Sequence, residues 1–361
     1  MPSFINAGLP YTTRSGAEMY PEVIEAMNYA ATRRARISEL HDAVGKKLSE
    51  MIGCEAGMIS TGASAAITLG TAACITKGDS ALICQLPDTK GLSNEVIIQK
   101  QHRYSYENSV RIAGAILVEV DGEEELIKAI NKKTAMMLFY YGREAKGKIK
   151  AKDFIAIGKK YNVPVFLDGA TTVPPASNLI NVMKLNPDLA CFSGGKGLHG
   201  PYSTGLLLGR KDLITAARLN ACPHDRTIGR GMKVSKEELL GMLVAVEVSL
   251  SRNYQDDIIT GKEWMKRIAE QLTGFKSLKP TIFVPENADQ MPMLRLEWDT
   301  AEIKLTPAEL KDNLKKGEPS IEVVSFGQSD GKFQVSSWML KEQEVDIVAK
   351  RINEELKKAK N

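Results

Sequence analysis

Asp188-Leu-Ala-Cys-Phe-Ser-Gly-Gly-Lys-Gly-Leu-His-Gly-Pro201 is the stretch on which the reading of this chain turns. An apolar run of strand type, Leu189 to Phe192, ends in Ser193-Gly194-Gly195. Then come Lys196, Gly197 and, after Leu198-His199, Gly200-Pro201. Glycines let a backbone turn where side chains would clash. A lysine at the end of a buried strand is poorly placed as a solvated charge. It is well placed to form a Schiff base with a carbonyl, because partial desolvation makes its amine nucleophilic. The same letters also suit a β-turn with a surface lysine, so partners must be sought elsewhere in the chain.

Working outward, strands and helices alternate. Gly57–Ser60 reads as a short strand, followed by Thr61-Gly-Ala-Ser-Ala-Ala66, which opens a helix running through Cys74. Strands are expected over Ser80–Cys84, Ala115–Val120, Thr134–Tyr140, Pro164–Asp168, Leu189–Ser193 and Thr204–Leu208. Helices are expected from Glu123, over Lys152–Tyr161 and over Lys211–Asn220. Continuous apolar strands separated by helices predict an α/β fold with a mostly parallel sheet covered on both faces. Ligand sites in such sheets lie beyond the C-terminal ends of strands. Asp168, Ser193 with Lys196, and the Thr61–Ala66 string all follow strands.

Residues 1–20 read as an extended N-terminal segment and 21–235 as the large domain. Residues 236–361 read as long helices with a small α+β domain. Helices are expected from Pro21, with Pro in the first turn, and over Ile37–Ile52. After Ser235, helices at Glu237–Ser251 and Asp256–Leu272 precede short strands (Thr281–Val284, Met293–Trp298, Ile321–Val324, Phe333–Ser337). Further helices are expected at Pro307–Lys315 and Glu342–Lys358.

The charge balance is modest: 48 Lys and Arg against 44 Asp and Glu, a net +4 over 361 residues. No basic block suggests nucleic acid. The five cysteines are scattered without a CxxC, and four sit in or beside apolar runs, as buried free thiols would. Histidine is scarce, which leaves a metal site little to work with. No apolar run is long enough to span a bilayer. The expected setting is cytoplasmic, with a small-molecule partner and neither nucleic acid nor membrane.

A pyridoxal phosphate enzyme with a parallel sheet needs a lysine, a carboxylate for the pyridine nitrogen, a phosphate seat and a group lying flat against the ring. Lys196 suits the first and Asp168 the second, with Ser193 beside the lysine. Ser60, Gly62, Ala63 and Ser64 suit the third, since a helix N-terminus offers unpaired N–H groups and a partial positive charge. His102 and Tyr106 are candidates for the fourth. Each also has a plain structural reading: Asp168 as a turn aspartate, the Thr61–Ala66 string as a capped helix, His102 and Tyr106 as loop residues. Arg230 and Lys233, beside glycines in an expected loop, could hold an anion, as could Arg14 in Thr13-Arg-Ser-Gly16.

Taken together, Val165-Phe-Leu-Asp-Gly-Ala170, Leu189–Lys196 and Gly200-Pro-Tyr-Ser-Thr-Gly-Leu-Leu-Leu-Gly-Arg210 resemble the selenocysteine synthase-like branch of fold-type I pyridoxal phosphate enzymes. Within that branch they are most similar to the D-glucosaminate-6-phosphate ammonia-lyase-like members. The likeness extends to Ile5–Gly8, Pro21–Met27, Thr61–Ala66 and Gly229–Glu237, about two-thirds of the chain. It implies the fold of the pyridoxal-phosphate-dependent transferases, pyridoxal 5'-phosphate as cofactor, the roles of Asp168 and Lys196, and a homodimer or larger assembly. Two departures stand out. The Ile-Asn-Ala motif starts at Ile5, so the N-terminal tRNA domain of selenocysteine synthase itself is expected to be absent. Thr13–Gly16 replaces a Leu-Gly-Gly string.

The expected reaction is α,β-elimination on a β-hydroxy amino acid or an amino sugar acid, giving a 2-oxo acid and ammonia. Lys196 would act as base, and Lys196 or His199 would protonate the departing hydroxyl. An aminotransferase, an aldolase, a β-replacement enzyme and a catalytically retired scaffold share these residues. Ser325–Lys341 holds no arginine of the kind that grips a substrate carboxylate in many aminotransferases, which counts against transamination.

Overall fold

The computed structural model describes residues 4–325 and 331–360. In chain order the strands are β1 (Ile5–Ala7), β2 (Ala56–Ser60), β3 (Glu95–Gln99), β4 (Ile116–Val120), β5 (Thr134–Tyr140), β6 (Val165–Asp168), β7 (Leu189–Ser193), β8 (Gly205–Gly209), β9 (Lys279–Phe283), β10 (Met293–Glu297), β11 (Ile321–Val323) and β12 (Phe333–Ser336). The α-helices are α1 (Pro21–Ala31), α2 (Ile37–Ile52), α3 (Gly62–Thr76), α4 (Ser80–Gln85), α5 (Asn108–Arg111), α6 (Glu123–Ala129), α7 (Ala151–Tyr161), α8 (Asn178–Lys184), α9 (Lys211–Leu219), α10 (Lys236–Ser251), α11 (Tyr254–Gln271), α12 (Pro307–Lys316) and α13 (Val345–Lys358).

The larger unit is Ala17–Arg252. Its seven-stranded sheet has the order β2-β8-β7-β6-β5-β3-β4 among the described residues. Every neighbouring pair is parallel except those made by β8, which runs antiparallel to β2 and β7. Successive side chains of a strand point to opposite faces, and here both faces are dry. Ile97, Met137, Phe139, Val165, Leu167, Ala190 and Phe192 pack into one core, with α2, α7 and α10. Val96, Ile98, Met136, Leu138, Phe166, Leu189 and Cys191 pack into a second, under α3 and α9. Helix α3 is buried from Ala65 to Thr76, so its sequence is apolar or small all round.

The structure corrects several expectations. Ser80–Cys84 is helix, not strand. Asp79 accepts the N–H groups of Ala81 and Leu82 at 2.8 and 3.0 Å, capping α4. Only Ile83 and Leu86 are buried there, three residues apart, and Cys84 is exposed. The sheet position belongs to β3, whose Val96, Ile97 and Ile98 are fully buried. Helix α8 was also not foreseen.

The domain division differs as well. Helix α10 packs against α1 and α2, and its Leu239, Met242, Ala245 and Val246 belong to the core of the larger unit. That unit therefore runs to Arg252 rather than 235. The second unit joins residues through Gly16 to the chain from Asn253 onward. Within it β1 pairs in parallel with β11, and β12-β10-β9 form an antiparallel sheet. Helices α11, α12 and α13 complete its core. The N-terminal segment thus includes a strand, with Ile5 and Ala7 buried.

Candidate active site

Asp168 is the last residue of β6 and is paired in register with Cys191 of β7. It continues the face of Phe166, toward α3. The residue is only 2% exposed. Its Oδ2 accepts the Tyr104 hydroxyl at 2.8 Å, and its Oδ1 accepts the Ala170 N–H at 3.0 Å and the Cys191 thiol at 3.6 Å. Burial pushes the carboxyl's pKa upward, against these bonds and the positive charge of Lys196. Burial, reinforced by Asp168 itself, also raises the pKa of Tyr104 and of Cys191, so both stay protonated and donate. Among the described residues no ion pair reaches this carboxylate, a costly arrangement for a buried charge.

Lys196 follows β7 by three residues and is half-buried. Its flanking glycines answer to space rather than to an unusual φ. A Cβ at Gly195 would lie 2.5 Å from the Tyr202 carbonyl oxygen, and one at Gly197 would lie 2.3 Å from that of Val173. The loop is tied at three further points. The Ala17 N–H donates to Gly195 O at 2.9 Å, the His199 N–H to Lys196 O at 3.0 Å and the Gly200 N–H to Gly194 O at 2.9 Å.

At the end of β2 the chain turns through Gly62, at φ +81°, into α3. Among the described residues no side chain caps this helix N-terminus. Its first N–H groups therefore remain available to an anion. The turn is backed by Gly205, where a Cβ would fall 2.4 Å from the Gly62 carbonyl carbon and 2.6 Å from the Ala63 nitrogen. The Ser64 and Ser109 hydroxyls bond at 2.6 Å, and Thr68 donates to Ser109 O at 2.7 Å, which ties α5 to α3.

Residues outside this cluster have other neighbours. His102 is fully buried, edge-on to Phe139 at 4.4 Å, with Nε2 3.2 Å from the Arg143 carbonyl oxygen. Burial lowers its pKa to about 4, so the ring is neutral at pH 7. Tyr106 is 54% exposed. The aromatic side chain that meets Asp168 is Tyr104, stacked on Tyr140 at 4.7 Å. Sequence reading passed over it, although it lies between His102 and Tyr106. His199, at φ 50°, stacks on Tyr20 and places Nδ1 2.8 Å from Glu18 O. Ser193 is half-buried and paired with Gly205. Arg230 is exposed and pairs with Asp225 at 3.3 Å, and Lys233 is exposed. Arg14 belongs to the smaller unit, bonded to Glu322 at 2.7 Å and to Val323 O at 2.8 Å. There it lines a cavity of about 420 Å³ with Thr13, Lys311, Lys315 and Ser325. Burial, with Arg14 beside it, lowers the Lys311 pKa to about 8.

The sequence profile of the family described as Aminotransferase class-V matches residues 26–222, a span holding Asp168, Lys196 and the turn into α3. The chain belongs to the class-V aminotransferase family. With it the chain takes its place among the pyridoxal-phosphate-dependent enzymes of fold type I. It is similar to the D-glucosaminate-6-phosphate ammonia lyase of Salmonella typhimurium (strain 14028s / SGSC 2262), at 27% identity over 97% of this chain and 94% of that protein. It is also similar to a 5'-C-glycyluridine monooxygenase-decarboxylase of a Streptomyces species, at 28% identity over 97% of this chain and 89% of the other. Among solved structures, one of D-glucosaminate-6-phosphate ammonia-lyase superposes with a TM-score of 0.85. The two are 26% identical over 99% of this chain and 97% of that one.

The residues present fit the family's cofactor. Asp168 is a buried carboxylate that lacks an ion pair among the described residues, and it suits a protonated ring nitrogen. The uncapped α3 N-terminus suits a phosphate. Among the described residues no group of three or more His, Cys, Asp or Glu could hold a metal ion, and no helix is long and apolar enough to cross a membrane.

Proposed function

We propose that the chain is an ammonia-lyase that removes ammonia from a β-hydroxy amino acid or amino sugar acid, such as D-glucosaminate 6-phosphate, leaving a 2-oxo acid. The observation that carries this reading is the end-to-end likeness to the ammonia-lyase in both sequence and structure. Pyridoxal phosphate, when bound, supplies a sink for the electron pair left at the substrate α-carbon.

The chain's own residues do the rest. Lys196 would hold the cofactor and then, once free, take the α-proton as general base. Asp168 would hold the ring nitrogen in its protonated form. The Gly62–Ser64 N–H groups would hold the phosphate. Ser193 lies beside the lysine at the strand end. Lys196 or His199 would return a proton to the departing β-hydroxyl, so water leaves. A later addition of water releases ammonia, and the net change is substrate to 2-oxo acid plus ammonia. Arg230, Lys233 and Arg14 are candidates for substrate anions, and His102 and Tyr106 for the ring contact. Assembly as a homodimer or larger oligomer belongs to the same proposal.

The test is an absorbance spectrum of the purified protein with and without added pyridoxal phosphate, before and after borohydride, with peptide mapping. The expected result is a visible band that borohydride removes and a label on Lys196. Incubation with D-glucosaminate 6-phosphate should then yield ammonia and a 2-oxo acid in equal amounts. A protein that stays colourless with added cofactor overturns the reading. A second reading rests on the 28% identity to the monooxygenase-decarboxylase: oxygen uptake with carbon dioxide release, in place of ammonia, would favour it.

A further inference from the structure

We infer that Tyr104 is a positioning residue for Asp168: its hydroxyl fixes the Oδ2 oxygen and keeps the buried carboxylate in its charged form, ready for a cationic partner. This deepens the proposed function and rests on it for the identity of that partner.

The geometry is specific about which oxygen depends on which donor. The Ala170 N–H and the Cys191 thiol both go to Oδ1, and the thiol contact is a weak one at 3.6 Å. Among the described residues the Tyr104 hydroxyl is the donor to Oδ2, at 2.8 Å. Hydrogen bonds to the charged form of a carboxyl favour that form, and burial opposes it. Asp168 stands between the two, with its burial already the larger influence. Loss of the Oδ2 donor should therefore move its protonation directly.

Tyr104 is itself held at both ends. Its N–H donates to Glu107 Oε1 at 3.2 Å, and Glu107 is 7% exposed and clasped by Arg103 and Arg111. Its ring lies on Tyr140 with 19° between the planes. The hydroxyl is thus delivered to Asp168 by a fixed backbone and a stacked ring. The titratable groups acting on Asp168 are Tyr104 and Cys191 by hydrogen bond and Lys196 by charge, and Tyr140 acts on Tyr104 in turn.

The test compares the wild type with Tyr104→Phe, which keeps the stacked ring and removes only the oxygen. Tyr161→Phe serves as a control, because that side chain is exposed on α7 and is given no part in the site. In protein freed of cofactor, the carboxyl carbon resonance of Asp168, labelled with carbon-13 and assigned by Asp168→Asn, is followed against pH. The expected midpoint in Tyr104→Phe is higher by about one pH unit or more, which corresponds to about tenfold weaker ionisation. Affinity for pyridoxal phosphate, read by fluorescence, should fall by about tenfold in parallel, with Tyr161→Phe unchanged in both. Equal midpoints for wild type and Tyr104→Phe overturn the inference, including when cofactor affinity falls. If the wild type binds no pyridoxal phosphate, the proposed function fails, and the carboxyl titration still decides the role of Tyr104.

Discussion

Asp168 and Glu355 are both buried carboxylates, at 2% and 7% exposure, and the chain treats them in opposite ways. Glu355, on α13, meets Lys358 at 2.7 Å, Arg351 at 3.4 Å and the Asn313 amide at 3.1 Å. The Lys358 contact, ahead of all else, lowers its pKa. Asp168 meets a phenol, a thiol and a peptide N–H, and its pKa rises. The first carboxylate stabilises its own fold. The second opposes its own fold, as a carboxylate in the proposed role of holding a cationic ring nitrogen would.

The largest effect should come from the lysine beside Asp168. Lys196→Ala is expected to lower turnover by about a thousandfold or more and to abolish borohydride labelling, with the melting curve little changed. Retained labelling would dissolve the contrast at once. Asp168→Asn sharpens it from the stability side. Turnover should fall by about a hundredfold, yet the cofactor-free variant should be more stable than the wild type at pH 7. A raised folded-state pKa means that the folded protein holds this proton more tightly than the unfolded chain. The ionised group therefore penalises folding above the unfolded value of about 3.9, and the variant's advantage should vanish below about pH 4. Urea midpoints at both pH values check this.

Gly197→Ala probes the loop without touching charge. Its Cβ would meet the Val173 carbonyl oxygen at 2.3 Å, so a loss of about 2–3 kcal/mol is expected in denaturant melts, with slower labelling of Lys196. The smallest effect should come from Glu355→Gln, a loss of about 1 kcal/mol at pH 7. Its sign of pH dependence is opposite to that at Asp168. A depressed pKa stabilises the fold above the ordinary carboxyl value, and that stabilisation is lost as pH falls through the folded value, so variant and wild type should converge in acid.

Much of the frame was legible in the letters. Val165–Asp168 and Leu189–Ser193 are dry on both faces and read as continuous apolar runs, which is the mark of a covered parallel sheet. The glycines around Lys196 and the small residues opening α3 signalled close approach and an open helix end. Short apolar runs were where the reading failed. Ser80–Cys84 carries the same kind of letters as a strand, and the deciding residue, Asp79, stands outside it. Tyr104 was missed because nothing local distinguishes it from Tyr106. Its hydroxyl meets Asp168 of β6, 64 residues on. The boundary near 252 was hidden for a similar reason: α10 has a change of composition before it, but its apolar face is matched to α1 and α2.

The pairing of β1 with β11 has a consequence for how the polypeptide matures. The larger unit is one uninterrupted stretch of chain, and it can fold as soon as it has left the ribosome. The smaller one joins the residues through Gly16 to the chain from Asn253 onward, so its two parts are made at different times. Its opening strand must wait, unpartnered, until more than three hundred further residues have been synthesised. During that interval Ile5 and Ala7 lack the neighbours that bury them in the finished protein.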